Sequence, residues 1–244
     1  MRTDKTKMAK RFDLLLVEFE SSARWRSRAP NGLKTNFQSM ISKFERQVEK
    51  SCRRQHSVAA DFNLLDVVSL IKDELTHSKV IAWLLDGNPQ TGTHAQGNLG
   101  FRLFLEEVGL DSSYAQGRYR VRREVSGDNS RIDICVEEPG KFLIFIENKI
   151  ASPEGPGQTL REGQDLQRRA DFLNIPVKAR HGLFLHPDGE KPINIEFKAI
   201  SYRQIASLFD RFAAKTLPED VRLFTRHYAE GLRRFVIRTT ASNN

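Results

Sequence analysis

The sequence predicts an α/β domain with a central mixed β-sheet flanked by helices, preceded by a basic helical N-terminal extension. Three observations predict it. Apolar residues recur at helical spacing up to about residue 109, and from 119 the pattern changes to strand-like alternation. Further strand runs and helical stretches then follow one another to the C-terminal end, the pattern of a sheet covered by helices. The basic charge is confined to one end: residues 1–60 hold 14 Lys/Arg against 6 Asp/Glu, whereas the other 184 residues hold 25 of each. The expected division is therefore a basic extension, 1–60, and a main domain, 61–244.

The elements can be placed in order. Residues 8–22 and 35–56 read as helices, the second with Phe37, Met40, Ile41, Phe44 and Val48 on one face. Between them Pro30, Asn31 and Gly32 mark a loop. A third helix is expected over 61–75, with Leu64, Leu65, Val68 and Ile71 as its stripe. A fourth is expected over KVIAWLLD with Ser78 as N-cap, and a fifth over LGFRLFLEEVG closed by Gly109. Strands are expected at 119–125, 131–137 and 141–150. A polar helix follows at about 158–174, then strands at HGLFLH and IEFKAI and helices at 201–214 and 218–236.

The segment RIDICVEEPGKFLIFIENKI carries the chemistry. Side chains alternate along a strand, so Glu147 and Lys149 share a face and Asn148 points the other way. Asp133 joins them only if opposed residues of the hairpin have numbers adding to 280, which requires an odd turn such as 139–141 or a bulge. A two-residue turn would set Asp133 opposite Ile146, on the wrong face. In the right register two carboxylates and an ammonium converge. A hard divalent cation relieves the repulsion of the carboxylates by taking oxygens from both. Such an ion polarises a phosphate oxygen and acidifies a bound water, while Lys149 could orient or deprotonate that water or stabilise the phosphate charge. The competing reading is an ordinary Glu–Lys pair at the tip of a strand.

In that order, Asp followed by Glu-x-Lys on the next strand resembles the PD-(D/E)XK nuclease superfamily. FNLLDVVSLIKDELTHSKVIAWLLD, THAQGNLGFRLFLEEVG, RIDI and IENKI are similar to a stand-alone bacterial and phage branch of it. The resemblance covers about residues 61–170 and, more weakly, HGLFLHPDG and the Tyr202 helix. It implies a restriction-endonuclease-like sheet, metal ligands at Asp133 and Glu147, and a catalytic lysine at Lys149. It also implies an acidic residue beside the sheet at Glu74, acting on the metal directly or through a water. The family glutamine corresponds to Gln158, Gln164 or Gln167, with Gln158 slightly favoured. The family's proline before the Asp is Ile132 here.

The expected activity is hydrolysis of DNA phosphodiesters by a Mg²⁺-activated water, with Mn²⁺ able to substitute, and a setting such as phage defence. The alternatives are a non-cleaving nucleic-acid-binding or protein-interaction module on a nuclease fold, or an RNase. His77, His94, Arg120, Arg122 and Arg26 are candidate nucleic-acid contacts. Each has a plainer reading: a histidine at a helix end, a loop residue, a charged edge strand, or a surface loop. A homodimer would suit the cutting of two strands. No run of about 18 apolar residues is present, the first ten residues lack the apolar stretch of a signal peptide, and Cys52 and Cys135 stand alone. Neither a membrane partner nor a nucleotide cofactor is therefore expected, and the location expected is cytoplasmic.

Overall fold

The computed structural model describes residues 39, 42–54 and 62–237. The chain divides into two units, Met1–Phe62 and Asn63–Asn244. In the first, 42–54 is helical, inside the helix expected over 35–56. The helix expected over 8–22 and the arginine-rich segment with Arg26 lie outside the described residues.

The second unit is a five-stranded sheet in the order β1-β2-β3-β4-β5. The strands are β1 (Arg120–Ser126), β2 (Arg131–Glu138), β3 (Phe142–Asn148), β4 (Arg180–His186) and β5 (Phe197–Ser201). The β1/β2 and β2/β3 pairs are antiparallel, and the β3/β4 and β4/β5 pairs are parallel, so the sheet is mixed as expected. The helices are α1 (Leu64–Val67), α2 (Glu74–Leu85), α3 (Leu99–Val108), α4 (Gln158–Phe172), α5 (Tyr202–Lys215) and α6 (Glu219–Gly231). A single π turn, Leu232–Val236, completes the stretch expected as helix over 218–236.

The helix expected over 61–75 is corrected. It stops after one turn, because Ser69 takes a left-handed φ of 57° and a turn follows. Leu65 and Ile71 are buried, but Leu64 and Val68 of the same supposed stripe are exposed. The next helix starts at Glu74, not at Ser78. Asp73 caps it by accepting a 3.0 Å hydrogen bond from the Thr76 amide, while Ser78 lies inside the helix and donates to the Glu74 carbonyl. Gly109 closes α3 in the left-handed conformation, φ 65°, as its position suggested.

The hairpin register decides where the chemistry lies. Ile134 pairs with Ile146 and Glu138 with Phe142, so opposed numbers add to 280 and the turn is the three residues 139–141. Gly140 supplies the positive φ, 76°, that the turn needs. Cys135, Glu137, Phe145 and Glu147 thus point to the face covered by α4, where Arg169 bonds Glu137 and Gln158 bonds Glu147. Phe142, Ile144, Ile146 and Asn148 point to the other face. There Phe142 stacks on Phe101 of α3 with ring centroids 5.9 Å apart, and Asn148 bonds Ser78 of α2 and Tyr202 of α5.

The α2 and α3 helices meet closely at Gly100. A Cβ there would lie 1.9 Å from the Leu84 carbonyl oxygen, a backbone atom that cannot swing away. Gly100→Ala should therefore push the two helices apart and cost about 3 kcal/mol of stability. Chemical denaturation would show it as a lower midpoint; an unchanged midpoint would refute the close approach.

Candidate active site

The β3 strand ends in a knot of bonds that fixes its last three residues. The buried Asn148 side chain donates at 3.0 Å to both the Glu74 carbonyl and the Ser78 hydroxyl, and its own carbonyl accepts from the Tyr202 hydroxyl. Its backbone amide donates to Asp133 Oδ2 at 2.8 Å, which ties β2 to β3 at the level of the carboxylates. The Lys149 amide donates to the Leu185 carbonyl at 2.9 Å. With the side chain and the amide of Asn148 paired, the faces of Glu147 and Lys149 are locked.

Glu147 is 2% exposed. Its Oε1 accepts from Lys149 Nζ at 2.8 Å and from the Gln158 amide, while its buried Oε2 has no hydrogen-bond partner. Gln158 is the first residue of α4, and the Gly155 amide holds its carbonyl at 3.2 Å. Of the three glutamines considered, it alone reaches the carboxylates. Gln164 is exposed, and Gln167, also exposed, accepts from Arg180.

Burial lifts the Asp133 carboxyl to about 7, and the charge of Glu147 adds to the lift against the Asn148 amide and Lys149. Glu147 is raised by burial and then by Glu162. For Lys149 burial acts downward, but the hydrogen bond and charge of Glu147 outweigh it and hold the ammonium above its ordinary value. A half-buried and a buried acid, both raised above their ordinary values and one with an unpartnered oxygen, form a donor set that a hard divalent cation fits. The Asp133 and Glu147 oxygens would hold such an ion.

Glu74 has a different surrounding. Its Oε1 accepts from the amides of Ile150, Ala151 and Ser152 at 3.0, 3.3 and 3.2 Å and from the Ser152 hydroxyl at 2.7 Å. Burial works against the charge, but these bonds outweigh it and hold the carboxyl below its ordinary value. Oε1 of Glu74 is thus spent on bracketing the turn directly after Lys149.

Two expected nucleic-acid contacts are corrected. His77 is 0% exposed: its Nε2 sits 2.8 Å from the Ile71 carbonyl and its Nδ1 2.8 Å from the Tyr228 hydroxyl. His94 is also 0% exposed, wedged between the rings of Trp83 and Phe212 at 5.3 and 5.4 Å. Burial pushes both imidazoles below their ordinary values, so each is a neutral core residue that no phosphate can reach. Arg120 is exposed on the β1 edge. Arg122 is exposed too, yet its guanidinium is committed to Glu137, which Arg169 also grips through two bonds of 2.7 and 2.9 Å.

Sequence reasoning missed two acids of α4. Glu162 is 1% exposed and lies against Gln158 and Glu147. Asp165 accepts from the amides of Asp128 and Asn129 at 3.2 Å and from the Ser130 hydroxyl, which fixes the turn that leads into β2. The signal was present. Gln158, Glu162, Asp165 and Arg169 recur at helical spacing, a polar stripe where a helix packed on a sheet ordinarily carries an apolar one. A separate group, His186, Asp188 and Glu190, has ligand-type atoms within 4.8 Å of one another, but two of the three side chains are exposed.

Comparison with curated proteins and with solved structures gave no match. A family model described as the PD-(D/E)XK nuclease superfamily matches residues 62–230, a span that takes in all five strands of the sheet and both flanking layers. More than half of the 244 residues lie inside that match, and on that ground the chain belongs to the PD-(D/E)XK nuclease superfamily.

Proposed function

We propose that this chain hydrolyses DNA phosphodiester bonds with a divalent cation, Mg²⁺ by preference and Mn²⁺ as a substitute. The observation that carries the reading is the register of β2 and β3, which sets Asp133 beside Glu147 and Lys149 over a buried, unpartnered carboxylate oxygen. When bound, the ion supplies Lewis-acid polarisation of a phosphate oxygen and a more acidic water. Asp133 and Glu147 hold it. Lys149, paired with Glu147 at 2.8 Å, donates its ammonium to the phosphate oxygen that gains charge. Gln158 keeps the Glu147 carboxylate turned so that one oxygen remains available, and Glu74 keeps the chain after Lys149 from drifting.

The preference for a polyanion follows from charge. Residues 1–60 carry a formal excess of eight positive charges, and Arg120 and Arg123 are exposed along β1 on the sheet that bears the acids. Neutralised phosphates release counterions, so binding by these residues should weaken steeply with salt.

Asp133→Asn, Glu147→Gln and Lys149→Ala should each fold, as read by circular dichroism, and lose at least about a hundredfold of cleavage rate. Plasmid and linear DNA should be degraded with Mg²⁺ or Mn²⁺ and left intact with EDTA. Full activity in all three variants, or in EDTA, would refute the assignment. RNA cleaved in place of DNA would overturn its substrate half. For Glu74 the expected result is local: Glu74→Ala should raise amide exchange at Ile150, Ala151 and Ser152, by a factor corresponding to roughly 2 kcal/mol. Unchanged protection there would show that the bracket does not hold the turn.

A further inference from the structure

One carboxylate on the α4 face has no part in the scheme above. Glu162 stands one helical turn beyond Gln158, is 1% exposed, and lies against both the Gln158 side chain and the Glu147 carboxylate. Its Oε1 is buried with no hydrogen-bond partner, as is Oε2 of Glu147. No cation on α4 pairs with it: Arg161 donates to the Pro156 carbonyl, Arg168 binds Asp165 and Asp128, and Arg169 binds Glu137, which leaves Lys149 as the nearby positive charge. Other buried acids nearby are treated differently. Asp165 has four donors around it, and Glu137 has two guanidinium groups. Two adjacent buried carboxylates with vacant acceptor oxygens are costly in any structural role, because a Gln at either position would remove the repulsion and donate a hydrogen bond. A divalent cation is the partner that makes both oxygens favourable.

We infer that Glu162 is a metal ligand that shares a divalent cation with Glu147, so that α4 supplies part of the metal site and the sheet does not hold the ion alone. The inference rests on the nuclease reading and deepens it. On this arrangement the ligand expected at Glu74 is found at Glu162 instead. The cation also pins α4 to the sheet, since one of its ligands belongs to each.

The test uses the full-length protein and Mn²⁺ alone, read by isothermal titration calorimetry and by the thermal midpoint with and without the ion. Glu162→Gln should weaken Mn²⁺ binding at least about tenfold and shrink the rise in midpoint that Mn²⁺ gives the wild type. In EDTA the same variant should melt at or above the wild-type midpoint, because a buried repulsion has been removed. A structural role predicts the opposite pair of results: a lower midpoint in EDTA and an unchanged Mn²⁺ response, and that pair would overturn the proposal. Glu162→Ala, which cannot replace the hydrogen bond, should lose Mn²⁺ binding as well; retention of wild-type affinity there would also overturn it. Glu147→Gln separates the two readings. If it abolishes Mn²⁺ binding while Glu162→Gln does not, the role of Glu162 fails and the nuclease reading stands. If the wild type binds no Mn²⁺, both fail.

Discussion

An antiparallel hairpin offers only two parities, and the turn at 139–141 selects the one in which Asp133 and Glu147 face α4. The other parity would turn Asp133 toward the face where Ile134 and Ile146 are buried, away from Glu147 and Lys149. The same step would expose Ile134 and Val136 to the polar face of α4. One extra residue in a turn therefore sets both the core and the site, and the two cannot be satisfied separately. Gly140, in the left-handed conformation at that turn, is where this constraint touches the backbone.

Once the register is set, the remaining task is to keep acids buried on a sheet in place. The structure does so with side chains that act as brackets. Asn148 faces away from the acids and ties the end of β3 to α2 and α5, while its amide holds Asp133. Glu74 comes from the far side of the sheet and gathers three successive amides after Lys149. Asp165 does the same for the turn before β2. Each bracket spends charge-assisted or fully buried hydrogen bonds, the stronger kinds, on the few residues whose positions matter to the carboxylates.

The sequence made the hairpin legible because alternation fixes which residues share a strand face, and the parity condition could be written before any coordinates were known. That Glu147 and Lys149 share a face, joined conditionally by Asp133, came from that rule, whereas their roles came from the family resemblance. Gln158 was distinguished from Gln164 and Gln167 only by the structure, since a loop of uncertain conformation separates it from β3. His77 and His94 were misread because a histidine in a predicted loop or helix end looks accessible, whereas the Tyr228 and Phe212 partners that enclose them lie more than a hundred residues away. The helix expected over 61–75 failed for a local reason: apolar spacing continues through the turn at Ser69, and the Asp73 cap competes with continuation of the helix.

Glu74 and Glu162 show what spacing cannot convey. Both are acids on helices beside the same strand, and the family resemblance pointed to Glu74 alone. What separates them is the state of their oxygens. An oxygen already surrounded by donors is held in its charged form and is poor at accepting anything further, as the lowered value of Glu74 shows. A buried oxygen beside another acid with no donor of its own, as Oε1 of Glu162 is, gains most from a cation. Hydrogen-bond accounting thus assigns the two acids opposite tasks on opposite faces of one sheet. The fold keeps them apart by the same alternation that brought Glu147 and Lys149 together.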